Sequence, residues 1–475
     1  MAGTDRPMRR WLKRVAIVLA AVLILVVAPA AFILYPTFKS YPAMTFSPAA
    51  SQAEKNQQDL DLLRRLPEVE RSFTNETRAA FNTAMGELSA RAPDLDRAGF
   101  AMGVARAVAL ADNGHTSVMA LVGGRGFNAL PLRFGWFADG LFAVSGRPDQ
   151  RDLLGAQVMT LGGHSAEQLV EGLRAYVGGP ANLARELSPN LLASPELLHA
   201  AGLAEKADSA ALVLRLRDGT QASHTLAAEP GTPEPLTRTF WPKRYLSPVP
   251  MPDDSGSWTH VLQGVQVPPA FARPDQFFWH DYLADGSILY IQINRVRDQD
   301  GKSLHGYLAD VLAEAKTRPI KNAVVDLRFD PGGDYTLSVD FAKQLPELVP
   351  RDGKVFILTS GNTFSAALST AAMLKYHAGS RGILMGEPMG DRSRFWGEGG
   401  NVTLPNSRLT VRYTTAYHDW EDGCSLAQVT TCFFLNYVYG TPSGSLAPTI
   451  PVAQTFASYA AGEDAVLSEA LKQAK

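Results

Sequence analysis

The stretch Lys354–Tyr376, KVFILTSGNTFSAALSTAAMLKY, decides how this chain is read. It opens as an apolar β-like run, breaks at Ser360-Gly361-Asn362, and resumes as an Ala-rich helix beginning near Phe364. Ser365 then falls on the first turn of that helix. There, unpaired backbone N–H groups and the positive end of the helix dipole can stabilise an oxyanion. A serine in such a place often only caps the helix. Thr363 is equally able to cap, which leaves Ser365 without an obvious structural job.

Outward from this stretch, strands are expected at Ile288–Ile293, Asn322–Phe329, Lys354–Thr359 and Arg381–Gly386. Helical stretches lie between them, near 303–316, 336–347 and 364–377. Such alternation predicts a largely parallel sheet covered by helices, with ligands held at the carboxyl ends of the strands. The segment DLRFDPGG, residues 326–333, runs from one of these strands into paired glycines. By itself that is an ordinary turn. Beside the strand that presents Ser365, its unencumbered N–H groups become relevant.

The front of the chain reads as helical from about Ser51 to Ala111, with one stretch from Asn75 to Arg91 and another from Asp94 to Ala111. Asn113-Gly114 reads as a helix stop, so His115 stands on a turn just beyond a helix. A serine hydroxyl needs a base near neutral pH, and histidine is the usual one. His115 is the first candidate among nine histidines. His377 lies about three turns along the Ser365 helix, out of reach, and His418 is in reserve.

Residues 125–230 read as a small β-rich module with one main helix, Ala166–Ala175, and the Pro- and aromatic-rich 231–285 as a connector. The catalytic α/β domain is then 286–475 and the N-terminal helical region 51–124. Before these come a basic tail (1–14), an uncharged apolar run (15–35) and a Pro-containing tether (36–50). A helix over 15–35, at about 1.5 Å per residue, spans a hydrocarbon core of roughly 30 Å. Arg6, Arg9, Arg10, Lys13 and Arg14 would stay in the cytoplasm and send the remainder across. The alternative is a cleaved signal peptide ending near Ala28-Pro29-Ala30. Either way the bulk lies outside the cytoplasm, in the periplasm if the source is bacterial, and secreted if the segment is cleaved. Cys424 and Cys432 would close a short loop there, or else be two buried thiols. The net charge of −2, without a basic block, leaves no footprint for nucleic acid.

ADNGHT (111–116), VVDLRFDPGG (324–333) and TSGNTFSAA (359–367), in this order, resemble the hallmark segments of the tail-specific and tricorn-core serine peptidases. GILMGEP (382–388) and LPNSRLTV (404–411) resemble that family's later segments. The resemblance implies a ClpP/crotonase-like catalytic domain joined to a PDZ-like module, which GLFAV (140–144) and LGAQV (154–158) resemble. It implies Ser365 as nucleophile, with an oxyanion hole from the Ala366 N–H and one from Gly332 or Gly333. The C-terminal-processing branch uses a lysine base, but Gly386–Gly397 contains only Arg392 and Arg394, and arginine stays protonated. The histidine-base branch remains, with His115 as base. Glu421, in HDWEDGC, is the implied acid that orients it, with Glu398 competing. Two departures are Gly114, where the tricorn pattern has serine, and Pro448-Thr449, where Pro-Asp is usual.

The expected activity is cleavage of peptides or protein tails through an acyl-enzyme, with no metal or organic cofactor. The rivals are a catalytically silent protein binding peptides or apolar ligands on the same scaffold, and a crotonase-like acyl-CoA enzyme.

Overall fold

A computed structural model describes every residue except 1–10, 19–22, 124–125, 232–241, 252–253 and 255. Its centre is a sheet in the order Phe278–Leu283, Ile288–Ile293, Asn322–Asp326, Val355–Thr359, Gly382–Gly386, Ile450–Pro451. All neighbours run parallel except the first pair, an antiparallel hairpin. The strands Ile288–Ile293, Asn322–Asp326 and Val355–Thr359 are buried along their whole length. That is what continuous apolar runs such as Val355–Thr359 require, because both faces of a parallel sheet are covered.

One face carries the helices Leu304–Thr317, Val339–Leu348 and Ala366–Ala378, through Leu308, Phe341, Leu345 and Leu374. The other is closed by the C-terminal helix Ala465–Gln473, with Val466 and Leu467 on Tyr290, Phe356 and Leu358. Arg328 ties that helix to the sheet. Its Nη2 lies 2.6 Å from Asp326 Oδ2 and 2.7 Å from Asp464 Oδ2, all three side chains being buried.

The expected strands and helices of this domain are present, with two adjustments. The strand Asn322–Asp326 ends three residues before Phe329, where the chain turns toward the paired glycines. The strand Phe278–Leu283 lies within the stretch expected to be connector. It is an edge strand exposing Asp281, so it lacks the apolar signature of its neighbours.

The β-rich module is an antiparallel sheet of Leu132–Phe137, Gly140–Gly146, Gln157–Leu161, Ser209–Arg215 and Gln221–Ala227. Between its strands, among the described residues, are three helices, Ala166–Leu173, Ala181–Leu192 and Pro195–Ala200, rather than one. Pro189 inside the second and Pro195 opening the third disguise them in the sequence. The N-terminal helices Gln52–Leu63, Asn75–Arg91 and Arg97–Ala109 share a core with this module, joining Leu60, Phe81 and Val104 to Phe134, Leu161 and Leu212.

Among the described residues no helix is long and apolar enough to cross a membrane, and the expected span 15–35 lies partly outside them. Cys424 and Cys432 form a disulfide.

Candidate active site

Ser365 is positioned by a loop stapled to the neighbouring strand end. Ser360 Oγ donates to the Arg328 carbonyl at 2.6 Å and Thr363 Oγ1 to the Leu327 carbonyl at 2.8 Å. Thr363 is therefore not a cap. Ser365 itself occupies the N-cap position of the helix Ala366–Ala378, one residue earlier than expected, with φ 56° and no side-chain cap bond. A positive φ on a residue other than glycine is uncommon and strained, and such strain clusters at functional sites. The hydroxyl is thereby excused from the helix end, and Ser365 is half-buried between buried Phe364 and Ala366.

The glycine turn packs directly on it. A Cβ at Gly332 (φ +103°) would lie 2.7 Å from Ser365 Cβ and 3.0 Å from the Ala366 nitrogen, so only glycine fits. The Gly332 N–H donates to Asp330 Oδ1 at 2.8 Å. Of the expected oxyanion donors, Gly332 is thus already engaged, while Ala366 follows Ser365 directly and Gly333 pairs with Val296.

Asp330 is fully buried, its Oδ2 lacks a hydrogen-bond partner, and burial pushes its carboxyl up to about 8, against the opposing Gly332 N–H. A carboxyl raised from about 3.9 when unfolded gives stability that is complete below that value and lost as pH rises through 8. Asp330→Asn should therefore match wild type in melting temperature near pH 4 and increasingly exceed it towards pH 8. A difference independent of pH would contradict the burial argument.

His115 follows the helix Arg97–Ala109. The left-handed residue that ends this helical segment is Asp112 (φ 47°), not Asn113 or Gly114. Asn113 Nδ2 reaches Thr116 Oγ1 (3.0 Å) and the Trp396 carbonyl (3.1 Å), and Thr116 donates to Glu70 (2.7 Å), which locks the turn. A Cβ at Gly114 would lie 2.6 Å from Leu183 Cδ2 and 2.9 Å from the Phe364 ring. That packing explains glycine where the tricorn pattern has serine.

The His115 imidazole is buried between Phe364, 4.3 Å between centroids, and Phe395, 5.1 Å and within 13° of parallel. Its Nδ1 lies 3.3 Å from Asp391 Oδ2 without completing a hydrogen bond, and the Ser365 backbone N–H is one of the groups that draw the Asp391 carboxyl down against burial. Asp391 and Phe364 thus join the two expected residues into one site.

Glu421, expected to orient His115, is elsewhere. Its carboxylate accepts from Ser393 Oγ at 2.6 Å and faces Arg394 at 3.7 Å. Glu398 sits 3.3 Å from His418 Nε2. His418 stacks on Phe395 at 4.9 Å, so a phenyl ring separates it from His115. The carboxyl nearest the His115 imidazole is that of Asp391. The sequence signal for it is its place beside Gly390, in the lysine-free loop Gly386–Gly397. Burial holds the His115 imidazole well below its ordinary value, helped by the charges of Arg412 and His418, and pushes Asp391 well above the carboxylate range. Among the described residues no cluster of three or more His, Cys, Asp or Glu side chains is arranged to hold a metal ion.

No protein-family model and no curated protein sequence matches the chain. Solved structures do. Mature CPAF superposes with a TM-score of 0.52 at 13% identity, over 88% of this chain and 96% of CPAF. The chain has the CPAF fold. Mature CPAF in complex with lactacystin gives a TM-score of 0.54 at 14% identity, covering 89% of this chain and 97% of that one. A CPAF mutant gives 0.55 at 12% identity, covering 88% and 96%. The CPAF fold accounts for both the α/β domain and the β-rich module packed on it.

Proposed function

We propose that this chain is a serine peptidase of the tail-specific, histidine-base type, acting on peptides or protein tails outside the cytoplasm. The observation that carries this reading is Ser365 at a strained helix N-cap, with the Gly332-Gly333 turn against it and the His115–Asp391 pair beside it. With Nδ1 turned to Asp391, Nε2 is left to take the proton of the Ser365 hydroxyl. The hydroxyl oxygen attacks the scissile carbonyl, and the Gly333 and Ala366 N–H groups receive the oxyanion. His115 then protonates the leaving amine, and water attacks the acyl-enzyme by the same route in reverse.

The depressed imidazole has a consequence for pH. The resting base is uncharged well into the acid range, and it gains charge only in the transition state, facing Asp391. The acid limb of kcat/KM should therefore lie below the roughly 6.5 of an ordinary histidine. An acid limb at or above 7 would remove His115 from the role of base.

Incubating the purified full chain with a quenched-fluorescent peptide library tests the function itself. Cleavage by wild type and its loss in His115→Gln is the expected pair of results. Hydrolysis of CoA thioesters without peptide cleavage would instead favour the acyl-CoA rival. Folded protein that cleaves neither would leave a silent binding protein.

Export follows on the same reading, with residues 15–35 as anchor and the Cys424–Cys432 disulfide on the oxidising side.

A further inference from the structure

Three arginines close to the proposed catalytic groups have no anionic partner. Arg295 and Arg297 flank Val296, which pairs with Gly333 of the oxyanion turn and accepts the Asp334 N–H at 2.8 Å. Arg412 pairs in register with Ser117, two residues beyond His115. Among the described residues none of the three guanidinium groups has a carboxylate within 4.0 Å, and the Nε atoms of Arg295 and Arg412 are buried without a hydrogen-bond partner. The carboxylates nearby are engaged elsewhere. Asp330 takes the Gly332 N–H, Glu70 holds Thr116 and Thr414, and Glu398 faces His418.

The charge of Arg297 acts on both of the other arginines, and Arg295 and Arg412 act on the site. Burial and the charge of Arg297 both depress Arg295. Burial is also the main force depressing Arg412, where the charge of Arg297 opposes that of Glu398. Arg412 in turn bears on His115, and Arg295 on Asp330. Like charges without counter-ions are costly where they are partly buried, as Arg295 and Arg412 are, and a protein keeps them where a ligand completes them. A guanidinium fork matches a carboxylate bidentately, which makes arginine the suitable residue for reading one.

We propose that Arg295, Arg297 and Arg412 form a subsite for a carboxylate on the substrate, next to the scissile bond. The subsite rests on the peptidase reading for its purpose, but its ligand chemistry is testable without catalysis. The carboxylate has two possible sources, an acidic side chain or a free C-terminus, and the experiment separates them.

Immobilised full-length Ser365→Ala is exposed to three acetylated hexapeptide pools, each randomised over uncharged residues. One pool ends in an amide, one in a free carboxylate, and one in an amide with a single Glu. Mass spectrometry reads what is retained. At least one carboxylate-bearing pool should be enriched about tenfold over the uncharged pool, a preference that weakens with salt. The better retained of the two names the source.

The same comparison in Ser365→Ala/Arg297→Gln should cut the enrichment at least threefold, whereas Arg297→Lys should restore part of it. Arg297 is exposed, so its replacement leaves the fold intact, as a melting curve would verify. Equal retention of all three pools, or a preference that survives Arg297→Gln and Arg412→Gln together, would overturn the subsite. Neither outcome depends on whether Ser365 is the nucleophile. Failure of the subsite is therefore distinguishable from failure of the peptidase reading.

Discussion

Ser365→Ala is expected to lower kcat/KM for peptide cleavage by about 10⁴- to 10⁶-fold, the loss typical when the nucleophile of a serine–histidine pair is removed. The same change should barely alter stability. The hydroxyl makes no cap bond, and alanine tolerates φ 56° no better and no worse than serine does. That separation of effects makes the variant informative. An inactive protein with an unchanged melting temperature has lost a reacting group, whereas one that melts early has lost structure. If the hydroxyl were only a helix cap, the variant would be destabilised by about 1 kcal/mol and remain active.

The largest effect on stability is expected from Arg328→Met. Arg328 bridges Asp326 and Asp464 with contacts of 2.6 to 2.8 Å, and all three groups are buried. Removing the cation leaves two carboxylates facing each other away from water, a defect that costs about 3–5 kcal/mol. Tyr290, which donates to Asp326 at 2.8 Å, cannot neutralise them. The loss should appear as a lower midpoint in urea unfolding with an unchanged slope. Because the Arg328 carbonyl also holds Ser360, turnover should fall too, as the loop before Ser365 loosens. A cost below about 1 kcal/mol would mean that water reaches the cluster, as it does in exposed ion pairs.

The sequence and the structure agree where apolar patterning is strongest. The strands Ile288–Ile293, Val355–Thr359 and Gly382–Gly386 are mostly apolar because helices cover both of their faces, and they were legible as such. The edge strand Phe278–Leu283 was not, since a half-exposed strand carrying His280 and Asp281 resembles a loop. The helices of the β-rich module were hidden by Pro189 and Pro195.

Site residues divide along the same line. Ser365 and the glycine turn belong to strand ends, so the pattern that located the strands also located them. The partner of His115 is different. Asp391, Glu398 and Glu421 lie in three separate connections around the short strands between Arg394 and Asp419, and only the course of the backbone decides which carboxyl meets the imidazole. Positional matching favoured Glu421, while the fold presents Asp391. The same holds for Gly114, where the reason for glycine is Leu183, from a distant helix, occupying the space.

A fluorophosphonate probe followed by peptide mapping tests the central claim most directly, because it reports the reacting atom itself. In folded wild-type protein the phosphonyl group should be found on Ser365, and labelling should slow by orders of magnitude in His115→Gln and by a smaller factor in Asp391→Asn. A folded protein that takes no label at Ser365, or one that labels equally fast without the imidazole, would contradict the account.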